Sequence, residues 1–130
     1  MSQVSRPLSP HLQVYRWAVS NTLSILHRMT GLALSIGAIA LVGWLLALAA
    51  GQAGFLQLNE LFRGFIGQFL LLGWSFAFFY HLCNGIRHLA WDVDRGFDKH
   101  FARKSGLVVV CISVLLTLAF WAAALTGGAA

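Results

Sequence analysis

Three long apolar runs constrain this chain more than any other feature: Leu32 to Ala50, Phe65 to Ala90 and Leu107 to Leu125. A hydrocarbon core about 30 Å thick is crossed by roughly 20 helical residues, so each run is long enough to span a bilayer. Inside lipid every backbone N–H and C=O must find its partner within the chain, which admits helices and closed barrels only. Runs this long and continuous are helical, and the expected fold class is all-α, an integral membrane protein with three transmembrane helices. The rest of the composition agrees, with 58% apolar residues, 10% charged and a mean hydropathy of +0.74 over 130 residues. No room remains within these residues for an extramembrane catalytic domain. The reading is one membrane domain over 1–130: an extended segment 1–20, a first span at about 22–50, a second at about 63–91, a loop 92–105 and a third span at about 106–126.

The net charge of +5 does not indicate nucleic acid, because the basic residues are scattered around apolar segments instead of forming a solvated run. They read as topology signals. Arg6, Arg16 and Arg28 precede the first span, and Arg87, Arg95, Lys99, Arg103 and Lys104 lie at or between the second and third; Arg63 alone falls on the other side. The positive-inside rule then puts the N-terminus and the 92–105 loop in the cytoplasm, or in the matrix for a mitochondrial protein. A cleavable signal peptide is the weaker reading of Ala47-Leu48-Ala49, since the apolar stretch before it exceeds a signal h-region and starts only after some thirty residues. Arg6-Pro7-Leu8-Ser9-Pro10 is too rich in proline for a helix. Cys83 and Cys111 lie in apolar runs without CxxC or CxxCH spacing, as small core residues do, so any haem would be held non-covalently.

Polar side chains inside the spans need a partner or a function. His81 is the deepest, 11 residues before Asp92, which is roughly 16 Å at 1.5 Å per residue. His81, Gly85 and His88 share one helical face. A glycine one turn from a deep histidine suits a flat macrocycle coordinated through the imidazole. It suits equally an interhelical hydrogen bond from His81 with Gly85 serving close helix packing. His11, His27, His88 and His100 are all expected nearer the cytoplasmic side, none at the depth of His81, so a six-coordinate iron at His81 would take its other axial ligand from a partner chain.

At the mouth of the first span, Ser24 and Arg28 stand one turn apart, where a lipid-soluble carbonyl compound could accept from both. His27 suits a propionate or proton delivery. From spacing alone the plainer reading is stronger: Ser24 as an N-cap and Arg28 as a snorkelling anchor. Arg87, His88, Trp91 and Asp92 form a charged, aromatic rim to the second span, and the following loop, rich in both signs, is either solvated or a docking surface. Trp44, Trp74 and Trp121 read as packing or lipid contacts, and Gly37, Gly43, Gly67 and Gly73 as points of close helix approach.

Three blocks in order, Arg6 to Tyr15, Ser24-Ile25-Leu26-His27-Arg28-Met29-Thr30-Gly31, and His81-Leu82-Cys83-Asn84-Gly85-Ile86-Arg87-His88-Leu89-Ala90-Trp91-Asp92, make the chain resemble the cytochrome b anchor subunits of succinate dehydrogenase. The resemblance covers nearly the whole chain; the stretch Gly51 to Glu60 and the C-terminal tail carry no family signal. It implies a helix bundle shared with a second small membrane-anchor subunit, electrons arriving from a flavoprotein subunit and an iron-sulfur subunit, and ubiquinone reduced at the cytoplasmic boundary of a bacterial inner membrane or its mitochondrial counterpart. By that analogy His81 is an axial ligand of haem b and its iron, His27, His88 and Arg87 lie near the haem propionates, Ser24 and Arg28 line the quinone pocket, and Asp92 lies near it. Succinate oxidation would occur on other subunits. A menaquinone-linked fumarate reductase anchor shares these features, and a haem-free scaffold or transporter subunit is the alternative from another class.

Overall fold

The computed structural model describes residues 17–96 and 98–127, without the side chain of Lys99. The expected extended N-terminal segment and His11 therefore lie almost wholly outside the described residues. Within them the chain folds into four helices: α1 (Val19–Ala50), α2 (Gln52–Arg63), α3 (Phe65–Asp92) and α4 (Lys99–Gly127). Three of these, α1, α3 and α4, are long and apolar enough to cross a membrane, as the apolar runs require. At 1.5 Å per residue α1 is about 48 Å long, well beyond the hydrocarbon thickness.

The fourth helix is a departure from the sequence reading, which leaves Gly51 to Glu60 as a connection. Gly51, at φ +119°, breaks α1 in a backbone region that side chains rarely adopt, and α2 starts at the next residue. Phe55, Leu58 and Phe62 recur on one face of α2 while most of its surface is exposed, the pattern of a helix lying along a membrane boundary. The ring of Phe55 meets Trp44 edge-on and ties α2 back to the end of α1. Likewise α4 begins at Lys99, so Lys99 to Ser105 are helical and the connection after α3 is only residues 93–98.

The three long helices meet around Leu23, Tyr80 and Val109, one from each. Tyr80 is fully buried, and its hydroxyl donates to the Leu23 carbonyl at 2.9 Å, joining α3 to α1. Glycines let backbones approach, as in membrane bundles generally. Gly37 packs under the Trp74 indole and Gly106 under Leu23, and a Cβ at either would collide. Gly67 packs against the backbone of Leu61 and Phe62. Gly43 and Gly73 depart from the expectation of close approach, since a Cβ there would meet nothing within 4 Å. Ser113 and Thr117 are buried on α4 and satisfy themselves by donating to the carbonyls four residues back.

Arg87 fastens α3 to α4. Its side chain is 8% exposed; Nε donates to Ser105 Oγ at 3.0 Å, Nη1 to Asn84 Oδ1 at 3.1 Å and Nη2 to the Ala102 carbonyl at 2.7 Å, and its Cζ lies 4.1 Å from the centroid of the Trp91 ring. Trp91 in turn donates from Nε1 to the Gly96 carbonyl, fixing the turn. Asp98 caps α4: its carboxylate accepts from the N–H groups of Phe101 at 3.0 Å and His100 at 2.9 Å. The Phe101 bond, with help from His100, holds that carboxyl below its usual range. A carboxyl depressed in the folded state stabilises it above the ordinary carboxylate range, and that contribution is lost as pH falls through the depressed value.

Two outcomes follow. Arg87→Met removes hydrogen bonds from a charged donor and leaves the buried Asn84 Oδ1 unpaired, and is expected to destabilise the assembled protein by about 2 to 3 kcal/mol, measured as a lowered unfolding temperature in detergent. Asp98→Ala is expected to speed hydrogen exchange at the His100 and Phe101 amides near neutral pH while leaving the middle of α4 protected; unchanged exchange would remove the cap.

Candidate functional site

The polar residues of α1 and α3 converge near the 93–98 end of the bundle. The imidazole of His81 rests against α1 over Gly31, where an added Cβ would stand 3.0 Å from His81 Cε1. Its Nδ1 lies 3.1 Å from the His27 carbonyl oxygen and 3.3 Å from Thr30 Oγ1. A carbonyl oxygen only accepts, so the short contact requires Nδ1 to carry the proton. Nε2 then presents a bare lone pair, and it has no hydrogen-bond partner among the described residues. Thr30, 5% exposed, donates its hydroxyl to the same His27 carbonyl at 2.9 Å.

The interhelical hydrogen bond considered for His81 is therefore present, made by Nδ1. The packing role considered alongside it for Gly85 is not, because a Cβ at Gly85 would meet nothing within 4 Å. One turn from His81, on the same face of α3, lies open space.

His27 does not keep to a shallower level, as the sequence reading expects. Its ring stacks on His81 with centroids 3.9 Å apart and planes within 9°, and lies 5.1 Å from the ring of His88. The reason is the crossing of α1 over α3, which a local pattern does not encode. His88 meets Trp91 edge-on at 4.9 Å. His27 Nδ1 is buried with no partner, a situation that costs about 1–3 kcal/mol unless another group supplies one.

Ser24 is not an N-cap, since α1 begins five residues earlier at Val19 with Ala18 in the capping position. Ser35, Ser75 and Ser113 bond carbonyls of their own helices; Ser24 makes no such bond and its hydroxyl is uncommitted among the described residues. Arg28, one turn on, is exposed and has no carboxylate within ion-pair distance among them. Asp92 ends α3 and is exposed.

Arg87 is a correction. The expected place beside a haem propionate is not where the guanidinium lies: it is spent on Asn84, Ser105 and Ala102. Six residues beyond His81, Arg87 is turned about 120° from it around the helix axis, toward α4. Thr30, Tyr80 and Asn84 are the residues that sequence reasoning passed over. Thr30 sits three residues after His27 in the Ser24 to Gly31 block, a spacing that places both on one helix face.

Residues 2–120 match the family model described as the succinate dehydrogenase/fumarate reductase transmembrane subunit. The chain is 48% identical over 116 residues to the succinate dehydrogenase cytochrome b556 subunit of Rickettsia conorii, covering 89% of this chain and 90% of that one. It is 38% identical over 114 residues to the cytochrome b556 subunit of Paracoccus denitrificans, covering 88% of each. With the mitochondrial cytochrome b560 subunit of Sus scrofa the identity is 40% over 116 residues, 85% of this chain and 67% of that one. With three membrane-crossing helices and such relatives, it is a multi-pass inner-membrane protein. The chain belongs to the succinate dehydrogenase/fumarate reductase transmembrane subunits, among the cytochrome b anchors of succinate dehydrogenase.

Proposed function

We propose that this anchor binds haem b through His81 Nε2 and contributes Ser24 and Arg28 to a site where ubiquinone is reduced. The observation that carries the reading is the division of labour on the His81 ring: Nδ1 is held by the His27 carbonyl, leaving Nε2 free, as in metal-bound histidines whose second nitrogen donates to a carbonyl. The residues fit the group. Open space over Gly85 suits a macrocycle, and the buried, unpartnered His27 Nδ1 suits an acceptor from outside the chain such as a propionate, with His88 beside it. No group of three or more His, Cys, Asp or Glu able to hold a metal occurs among the described residues. In this chain His81 would be the residue that holds the haem, and a second small anchor subunit would complete its binding. Bound there, haem b would exchange single electrons.

The chain's own residues would do the rest. His81 would hold the haem through a ring seated on Gly31. Ser24 and Arg28 would donate to a quinone carbonyl oxygen, the guanidinium stabilising charge that builds as the quinone is reduced. Asp92, at the end of α3, would stand near that site. In this reading the whole chain acts as one anchor domain, with its N-terminus and the 93–98 turn on the cytoplasmic side, toward the iron-sulfur and flavoprotein subunits.

His81→Ala is expected to abolish the b-type band in the reduced-minus-oxidised spectrum of the purified complex; a band that persists unchanged removes the haem assignment. Arg28→Leu is expected to slow ubiquinone reduction about ten- to hundredfold, the equivalent of one charge-assisted hydrogen bond. Succinate oxidation with a soluble artificial acceptor should persist. Equal loss of both activities would signal failed assembly and no quinone role.

A further inference from the structure

We infer that Thr30 is a positioning residue that sets the electron-donating strength of His81, by sharing the carbonyl that holds the His81 ring proton. The inference rests on the haem reading above. Beside the backbone N–H of its own helix, the His27 carbonyl oxygen receives two side-chain donors: the Thr30 hydroxyl at 2.9 Å and His81 Nδ1–H at 3.1 Å. Two donors on one oxygen weaken each other, because each withdraws the electron density that attracts the other. A ring N–H that donates strongly gives its imidazole more anionic character, makes the opposite nitrogen a better donor and stabilises oxidised iron. By taking the shorter bond, Thr30 limits that effect and holds the iron more readily reduced than the same carbonyl would without the hydroxyl. The hydroxyl is 3.3 Å from Nδ1, close enough to keep the ring from swinging off the carbonyl, and Gly31 opens the space the ring occupies.

Thr30 is well placed for this role and poorly placed for others. It is buried, lies outside direct reach of the free Nε2, and spends its hydrogen on a carbonyl of its own helix. Thr117 and Thr126 satisfy themselves in the same way on carbonyls that serve no side chain of another helix, whereas the carbonyl that takes Thr30 also takes His81, as the Ala102 carbonyl takes both Ser105 and Arg87.

The test is a redox titration of the b-type haem in the purified complex, with the low-spin electron paramagnetic resonance signal as a second readout. Thr30→Val keeps the shape and removes the hydroxyl, and is expected to lower the haem midpoint potential. Thr30→Ser keeps the hydroxyl and is expected to retain the parent potential. Loss of haem in Thr30→Val but not in Thr30→Ser would also support the role, as failure of the seat. An unchanged or raised potential in Thr30→Val would overturn it, as would equal loss of haem in both variants, which marks a general packing role. Failure of the haem reading itself is distinguishable, because it leaves no b-type signal to titrate in the unsubstituted complex.

Discussion

Lipid offers no hydrogen bonds, and that single constraint accounts for most of how this bundle is held. Apolar side chains gain little from meeting one another rather than acyl chains, so the helices are joined where polar groups find partners and small residues let backbones come close. Tyr80 reaches the Leu23 carbonyl, Arg87 reaches three acceptors including Ser105 and Ala102 on α4, and His81 reaches the His27 carbonyl. All but the Arg87–Asn84 bond, which lies within α3, link two spans, and together they tie α1 to α3 and α3 to α4. The contacts cluster in the half nearer the 93–98 turn, leaving the opposite half held by Trp74 over Gly37, Trp121 on Ser75 and the short α2.

The three spans are legible in the sequence because a membrane imposes the apolar length directly. His81 is legible for the converse reason, that a polar ring at such depth must be justified. The crossing of α1 over α3 is not legible, since it depends on which surfaces meet, and so His27 is read as shallower than its stacking on His81 requires. Arg87 is misread for a different reason. Resemblance and its place at the helix rim put it near the propionates, although its angular distance from His81 already points it away from the shared face. Ser24 looks like a cap only if the helix starts there, and the start at Val19 removes that reading. In α2 the Phe55, Leu58 and Phe62 spacing is present but occupies barely three turns between glycines, too little to stand out beside the long spans.

The outward surface of the bundle is apolar along the length of all three spans, with Ile36, Ile39, Phe69, Leu70 and Leu115 among the residues exposed. Such side chains accept lipid and a neighbouring helix alike. What distinguishes the site end is that its committed and uncommitted polar groups are sorted: Arg87 is fully engaged inside the bundle, whereas Ser24 and Arg28 are without partners among the described residues. A guanidinium and a hydroxyl left unspent at a membrane boundary are groups to which something outside this chain can bind.

The bond from His81 Nδ1 to the His27 carbonyl has one more effect. A peptide oxygen is far too weak a base to take the hydrogen it holds, and the opposite nitrogen is the one available to iron. In the proposed reading, with the opposite nitrogen on iron, the ring would be a dead end for protons. On that reading, hydrogen ions consumed by a quinone would have to reach it by a route that does not pass through the His81 ring.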